Sequence, residues 1–171
     1  MKLVENSEIH YILDASGLIN GFIPFTKLNF TVPEISYEVK DLKSTLTMNE
    51  AINSYYLTIV EPREECLNKM KHIISKSGDE LRLSIADTKL LSLALDFHSS
   101  GKTVVVITDD YTIQNTLKIL NITFKSILTD GIVNIYNWRK FCRGCMKEYP
   151  NDYSYDECEI CGTKITKKRI K

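Results

Sequence analysis

VVVITDDYTIQN, Val104 to Asn115, changes its period halfway along. Four branched aliphatics run into Thr108, and an uninterrupted apolar run of this kind is the mark of a strand covered on both faces. After Asp109 and Asp110 the apolar positions fall at Ile113, Leu117 and Leu120, one side of a helix expected over Tyr111 to Leu120. A buried strand therefore delivers two carboxylates to the start of a helix. The same unit occurs at the other end of the chain, where IHYIL (Ile9 to Leu13) reads as a strand, Asp14 follows it, and a helix begins near Ser16.

Between these units the pattern keeps alternating. Pro33 suits the first turn of a second helix, with Ile35, Val39, Leu42 and Leu46 in a 3.6 period. Leu57 to Val60 is β-like, and a helix through Cys66, Met70, Ile73 and Ile74 stops near Gly78. Ser84 opens the helix SIADTKLLSLALDFH, which ends before Gly101, and further β-like runs lie at Ile122 to Ile127 and Ile132 to Tyr136. Strands alternating with helices place the chain in the α/β class, with a parallel sheet covered by helices. Near Trp138 cysteine, tyrosine and lysine replace the branched aliphatics, so the expected domains are 1–137 and 138–171.

Charge divides at the same place. Residues 1–137 carry 13 Lys/Arg against 17 Asp/Glu, and residues 138–171 carry 9 against 5. A basic C-terminal segment on an acidic body is what a polyanion partner would meet, and equally what a plain solvated tail looks like. No apolar run approaches a membrane span, MKLVENSEIH lacks the apolar core of a signal peptide, and the cysteines read as metal ligands. The expected location is the cytoplasm, with no membrane partner.

Projected at 100° per residue, Asp87 falls among Leu90, Leu91 and Ala94, on the apolar face of its helix. The exposed side is then expected at Thr88, Lys89, Ser92 and Asp96. Glu38 lies on the edge of the Ile35/Val39/Leu42 stripe, and Asp110 shares a side with Ile113 and Leu117. Each acid also has a structural reading. Ser84-x-x-Asp87 matches a capping box, Asp109 or Asp110 can cap the next helix, Asp14 can be held by the amides around Ser16, and Glu38 can be solvated. Together Asp14, Asp87 and Asp109/Asp110 mean more, because strand ends and following helix starts share one edge of a parallel sheet; Glu38, within its helix, is the exception. Carboxylates gathered there repel by roughly 4 kcal/mol per pair at about 4 Å and an effective dielectric near 20. Protons or a cation must offset that repulsion. Oxygen ligands with no histidine suit Mg²⁺ or Mn²⁺, and such a site can hold a phosphodiester and activate water.

LDAS at Leu13–Ser16, Glu38–Val39, SIAD ending at Asp87, and TDD at Thr108–Asp110 resemble the motifs of PIN-domain ribonucleases. The resemblance covers about residues 9–137. It implies a three-layer α/β/α fold with a central parallel sheet and one Mg²⁺ or Mn²⁺ site that cuts single-stranded RNA. Carried over by position, the metal-binding and catalytic residues are Asp14, Glu38, Asp87 and Asp110. The family's T-x-D pattern makes Asp109 the variable position, adding charge behind that site.

FCRGCMKEYPNDYSYDECEICGTKI spaces Cys142, Cys145, Cys158 and Cys161 as two C-x₂-C pairs twelve residues apart, four thiolates for one tetrahedral, structural Zn²⁺. Two disulfides are the alternative. Cys66 reads as a small core residue. Lys164, Lys167, Lys168, Arg169 and Lys171 are candidate phosphate contacts, and Tyr149, Tyr153 and Tyr155 can stack on bases or cover the zinc loop. A PIN domain followed by this ribbon, with Gln114 and Asn115 after the fourth acidic motif, resembles the Nin-one-binding endoribonucleases in their compact archaeal form. That resemblance implies trimming of the 3′ end of the small-subunit rRNA precursor, with RNA and the pre-ribosomal small subunit as partners. The alternatives are an RNA-binding assembly factor that does not cut and a PIN-type toxin nuclease.

Overall fold

A computed structural model describes residues 8–24, 26–77, 82–132 and 137–170. The expected strand at Ile132 to Tyr136 and the cation Lys171 fall largely or wholly outside them. Five strands, β1 (Ile9–Leu13), β2 (Asn29–Thr31), β3 (Thr58–Ile59), β4 (Thr103–Ile107) and β5 (Thr123–Lys125), form one parallel sheet in the order β3-β2-β1-β4-β5. The chain steps outward from β1 through β2 to β3, then returns to β4 beside β1 and continues to β5. The reversal lies between β1 and β4, and ligands of open parallel sheets bind at the carboxyl ends of strands at such a point. Leu13 is in register with Ile107, so Asp14 and Thr108 leave the sheet side by side.

Among the described residues six helices accompany the sheet: α1 (Ala15–Ile19), α2 (Pro33–Glu38), α3 (Leu42–Asn53), α4 (Glu64–Ser77), α5 (Ile85–Ser99) and α6 (Tyr111–Ile119). The core gathers Ile12, Leu13, Val106 and Ile107 from the sheet with Leu90, Leu91 and Ala94 of α5 and Ile113 and Leu117 of α6. Gly17 lets α1 lie close on β4, since a Cβ there would stand 3.2 Å from Ile107 Cγ2. Cys66 is buried, as a core residue should be.

Two helical expectations need correcting. The single helix from Pro33 is two helices: Val39 turns extended (ψ 97°), and Asp41 starts α3 by accepting from Ser44 N at 2.9 Å. Leu42 and Leu46, which continued the period, are 76% and 59% exposed, while Ser44, Met48 and Ala51 face inward. The break leaves Glu38 as the last residue of α2. The second correction concerns α5, which is enclosed by α2, α4, α6 and β4. Ser92 and Asp96, expected outside, are buried. Ser92 Oγ donates to Thr88 O at 2.6 Å, and Asp96 receives Arg63 Nε at 2.7 Å and Nη2 at 2.6 Å, which satisfies its charge.

Residues 137–170 form an antiparallel sheet of β6 (Asn137–Cys142), β7 (Glu148–Tyr149) and β8 (Ile165–Ile170), ordered β7-β6-β8. The basic segment expected as a tail is therefore a strand, paired with β6 from Asn137↔Ile170 to Cys142↔Ile165. This sheet is seated on the end of α4. Asn151 Nδ2 donates to Lys76 O at 2.9 Å, and the Arg82 guanidinium lies 4.0 Å over the Trp138 ring. Among the described residues no helix is long and apolar enough to cross a membrane.

Two substitutions test the corrected α3 register by urea denaturation. Leu46→Lys is expected to change stability by less than about 0.5 kcal/mol. Met48→Ala is expected to cost about 2–5 kcal/mol. Equal costs would restore the register read from the apolar period.

Candidate active site and metal centre

Asp14 occupies the crevice between β1 and β4 and is 6% exposed. Its Oδ1 accepts from Ala15 N at 2.7 Å, which makes it the cap of α1, and its Oδ2 accepts from Thr108 Oγ1 at 2.7 Å and Ser16 Oγ at 3.2 Å. Thr108 Oγ1 in turn accepts from Asp110 N at 3.1 Å, and Ser16 Oγ accepts from Asp109 N at 3.1 Å. Two hydroxyls thus join the strand ends around one carboxylate. On the outer side of β1, Thr31 Oγ1 donates to Leu13 O at 2.8 Å. Ser16 and Thr108 were not among the candidate residues. Their signal is in the sequence all the same, as a hydroxyl placed two residues after Asp14 and two before Asp110.

Asp87 is the third helical residue of α5 and completes the capping box. Its Oδ2 accepts from Ser84 N at 2.8 Å, while its own N donates to Ser84 Oγ at 3.1 Å. The structural reading of Asp87 holds, and its charge also reaches the crevice. Burial, with the charge of Asp87 behind it, pushes the Asp14 carboxyl above the usual range, against the bonds from Thr108, Ala15 and Ser16. Burial, then the charges of Asp87 and Asp14, likewise raises Glu38, against Lys40. The charge of Asp87 therefore acts on both Asp14 and Glu38, and that of Asp14 on Glu38. The α2–α5 spacing that sets this is held by Lys89, whose Nζ meets Glu34 Oε1 at 2.5 Å and Glu61 Oε2 at 2.9 Å.

The two adjacent aspartates separate. Asp110 is exposed and caps α6, its Oδ1 accepting from Thr112 N at 2.6 Å and Ile113 N at 3.2 Å. Asp109 turns to the other side, where its Oδ1 accepts from Ile127 N at 2.9 Å, Leu128 N at 3.0 Å and Thr129 N at 3.3 Å. Asp109 therefore ties down the segment after β5 and does not share the crevice with Asp14. The carboxylate oxygens stand farther apart than the thiols of the ribbon. Among the described residues, Cys142, Cys145, Cys158 and Cys161 are the group whose ligand atoms all lie within 4.8 Å of one another. The acids nonetheless suit a hard divalent ion, being oxygen donors whose mutual repulsion a cation relieves.

Each pair of cysteines makes the same turn. Cys142 N donates to Lys147 O at 2.9 Å and Met146 N to Cys142 O at 3.0 Å; Cys158 N donates to Thr163 O at 3.0 Å and Gly162 N to Cys158 O at 2.9 Å. Met146 and Gly162 close these turns at φ 61° and 67°. Amides point at the sulfurs, Gly144 N to Cys142 Sγ at 3.3 Å and Ile160 N to Cys158 Sγ at 3.4 Å. The nearest sulfurs, Cys142 with Cys161 and Cys145 with Cys158, are 3.3 and 3.4 Å apart, far beyond a disulfide of about 2.05 Å. Four converging thiols backed by donors fit a tetrahedral metal ion of the zinc type. Tyr149 is buried against them, its OH donating to Cys158 Sγ at 3.0 Å, and its ring lies 4.4 Å from that of Tyr153, tilted by 40°. Those rings cover the metal loop, and Tyr155 stays exposed. Of the candidate cations, Lys164, Lys168 and Arg169 are exposed and Lys167 is half-buried opposite Lys140.

Raised carboxylates give a pH dependence with a definite sign. Their stability contribution is present below the unfolded value, 3.8 for an aspartate, and is lost as pH rises through the folded value. In protein dialysed free of Mg²⁺ and Mn²⁺, Asp14→Asn is expected to melt above wild type at neutral pH, and acidification to close the gap. A variant no more stable than wild type at neutral pH would show that the crevice is not under charge strain. In the ribbon, Gly144→Ala would bring a Cβ to 2.5 Å from Thr163 Oγ1 and 3.2 Å from Cys161 Sγ. Faster metal release to a chromophoric chelator is expected, and an unchanged rate would contradict the packing described.

Residues 11–97 match the family described as the PIN domain of ribonuclease. Endoribonuclease Nob1 of Methanothermobacter thermautotrophicus is 46% identical over 158 residues, 92% of each chain. Endoribonuclease Nob1 of Methanocaldococcus jannaschii is 36% identical over 94% of this chain and 78% of its own. Ribonuclease VapC1 of Thermoplasma acidophilum is 27% identical over 91% of this chain and 76% of its own. With carboxylates at the sheet's switch point, a four-thiol ribbon and a relative matched over 92% of both chains, the chain belongs to the Nob1 family of PIN-domain endoribonucleases.

Proposed function

We propose that the protein is a metal-dependent endoribonuclease that cuts single-stranded precursor rRNA at the 3′ end of the small-subunit rRNA. It acts in the cytoplasm on the pre-ribosomal small subunit. The observation that carries the site assignment is Asp14, a buried carboxylate at the β1–β4 switch point, raised by burial and by the charge of Asp87. The substrate assignment draws on the likeness to two Nob1 endoribonucleases, stronger than that to the VapC1 ribonuclease.

In this reading Asp14, Glu38, Asp87 and Asp110 hold Mg²⁺ or Mn²⁺. Such an ion, when bound, supplies a polarised phosphate and a water acidic enough to attack it. The chain's own contribution is position. The Thr108 and Ser16 hydroxyls hold Asp14 Oδ2, Asp110 is anchored by the start of α6, and Lys89 ties Glu34 of α2 to α5, the two helices that carry Glu38 and Asp87. Residues 1–137 form the nuclease domain. Residues 138–171, folded around Zn²⁺ on the four cysteines, position RNA through Lys164, Lys167, Lys168, Arg169 and Lys171.

The test is cleavage of a short RNA spanning the small-subunit rRNA 3′ end, beside an unrelated single strand. With Mn²⁺ or Mg²⁺ one cut at the mature end is expected. Asp14→Asn and Asp110→Asn should slow it by roughly 10²-fold or more, the scale of losing one preorganised electrostatic contact. Binding without a cut would favour an assembly factor, and equal cutting of both strands would remove the substrate assignment.

A further inference from the structure

The crevice gathers carboxylates, yet the strand it must hold is a chain of phosphates. The body around it is net acidic, 13 Lys/Arg against 17 Asp/Glu in residues 1–137. A cation at this edge of the sheet is needed to draw the strand in. Lys89 is taken up by Glu34 and Glu61, and the charge of Lys40 acts on Glu38. Lys125 is differently placed.

Lys125 ends β5 and is in register with Ile107, which is in register with Leu13. The three residues form one row across adjacent strands, about 10 Å from end to end at the usual strand spacing. Asp14 and Thr108 directly follow two of them, and Thr108 N donates to Lys125 O at 3.1 Å. Residues of one such row point to the same face of the sheet. That face is the one α1 covers, where Gly17 lies against Ile107 Cγ2. Phe22 follows α1, its N donating to Gly17 O at 2.9 Å, and Lys125 Nζ lies 4.8 Å over the centre of its ring. The Asp14 carboxylate is bonded to the same helix, through Ala15 N and Ser16 Oγ. Phe124, one residue before Lys125, takes the opposite face, beside Gly131 and Gln114. Lys125 and Asp14 thus share both an edge and a face of the sheet.

We propose that the Lys125 ammonium holds the phosphate adjacent to the scissile one. Lysine is a compact point charge on a flexible stem, suited to a single phosphate oxygen. Lys125 is exposed and belongs to no ion pair among the described residues. The Phe22 ring steadies the ammonium by cation–π attraction and leaves its charge intact, where a carboxylate would cancel it. One full positive charge therefore stands beside the acids without being absorbed by them. The inference rests on the nuclease reading of the crevice and names a residue by which that site takes its substrate.

The test couples protein and RNA changes. Affinity for the rRNA 3′-end strand is measured by fluorescence anisotropy across a salt series with zinc-loaded Asp14→Asn, which keeps the strand whole. Adding Lys125→Met removes the charge and keeps an unbranched side chain over Phe22. The slope of log affinity against log salt is expected to become shallower by about 0.7, the counterion release of one phosphate on a single strand. Lys125→Arg should restore the slope, and a loss of packing alone would not change it. Single phosphates are then replaced in turn by neutral methylphosphonates. The replacement adjacent to the cleavage position should weaken binding severalfold with lysine at 125 and cost nothing more with methionine there. An unchanged slope in Lys125→Met, or a methylphosphonate penalty that persists in it, would overturn the contact. The two readings fail separately: wild-type cutting by Asp14→Asn would sink the crevice assignment, whereas an unchanged slope sinks only the role of Lys125.

Discussion

Five residue pairs between β1 and β4, from Ile9↔Thr103 to Leu13↔Ile107, decide where everything else in the crevice lies. They bring together two strands 94 residues apart in sequence at Asp14 and Thr108, with the hydroxyl–carboxylate bond of 2.7 Å at their end. Slipping the pairing by one residue would move every side chain of β4 to the opposite face of the sheet and separate Thr108 from Asp14. The strand cores Ile12, Leu13, Val106 and Ile107 are all fully buried, which is what fixes the register.

The crevice so built opposes folding and favours function. Burying Asp14 near Asp87 is unfavourable for the charged form, and three hydrogen bonds offset only part of the effect. The remainder is a cost that a proton or a cation would relieve. The surrounding bonds are all arranged so that this strain does not move the backbone. Asp14 and Asp110 cap helices, Asp87 closes a capping box, and Lys89 joins two layers. The ribbon solves a different problem. Among the described residues its apolar cluster is Cys142, Tyr149 and Cys158 with Tyr153 and Ile165 against it, too small to hold three short strands without a bound metal.

Local signals in the sequence were strong where burial is symmetric and weak where a distant partner decides. The continuous runs at Ile9–Leu13 and Thr103–Ile107, the capping box at Ser84, and the cysteine spacing all carry their meaning within a few residues. The α2–α3 break did not show, because Leu42 and Leu46 continued the period of Ile35 and Val39 by chance while Asp41 acted as a cap. Asp96 looked exposed because its partner, Arg63, lies 33 residues away. The strand character of Ile165–Ile170 was hidden by four consecutive polar residues and emerges only through pairing with β6. That Asp109 turns to the amides of 127–129 while Asp110 caps α6 depended on a contact that no window around the pair contains.

The central claim is that the acids of the switch point form one cation site, and paramagnetic broadening by Mn²⁺ tests it most directly. In amide spectra of the zinc-loaded protein, substoichiometric Mn²⁺ should first erase signals from residues 14–16, 38–39, 87 and 108–110, and Asp14→Asn should remove that pattern. Broadening that begins elsewhere, at Glu61, Glu64 and Glu65 for example, or that survives in Asp14→Asn, would contradict the account.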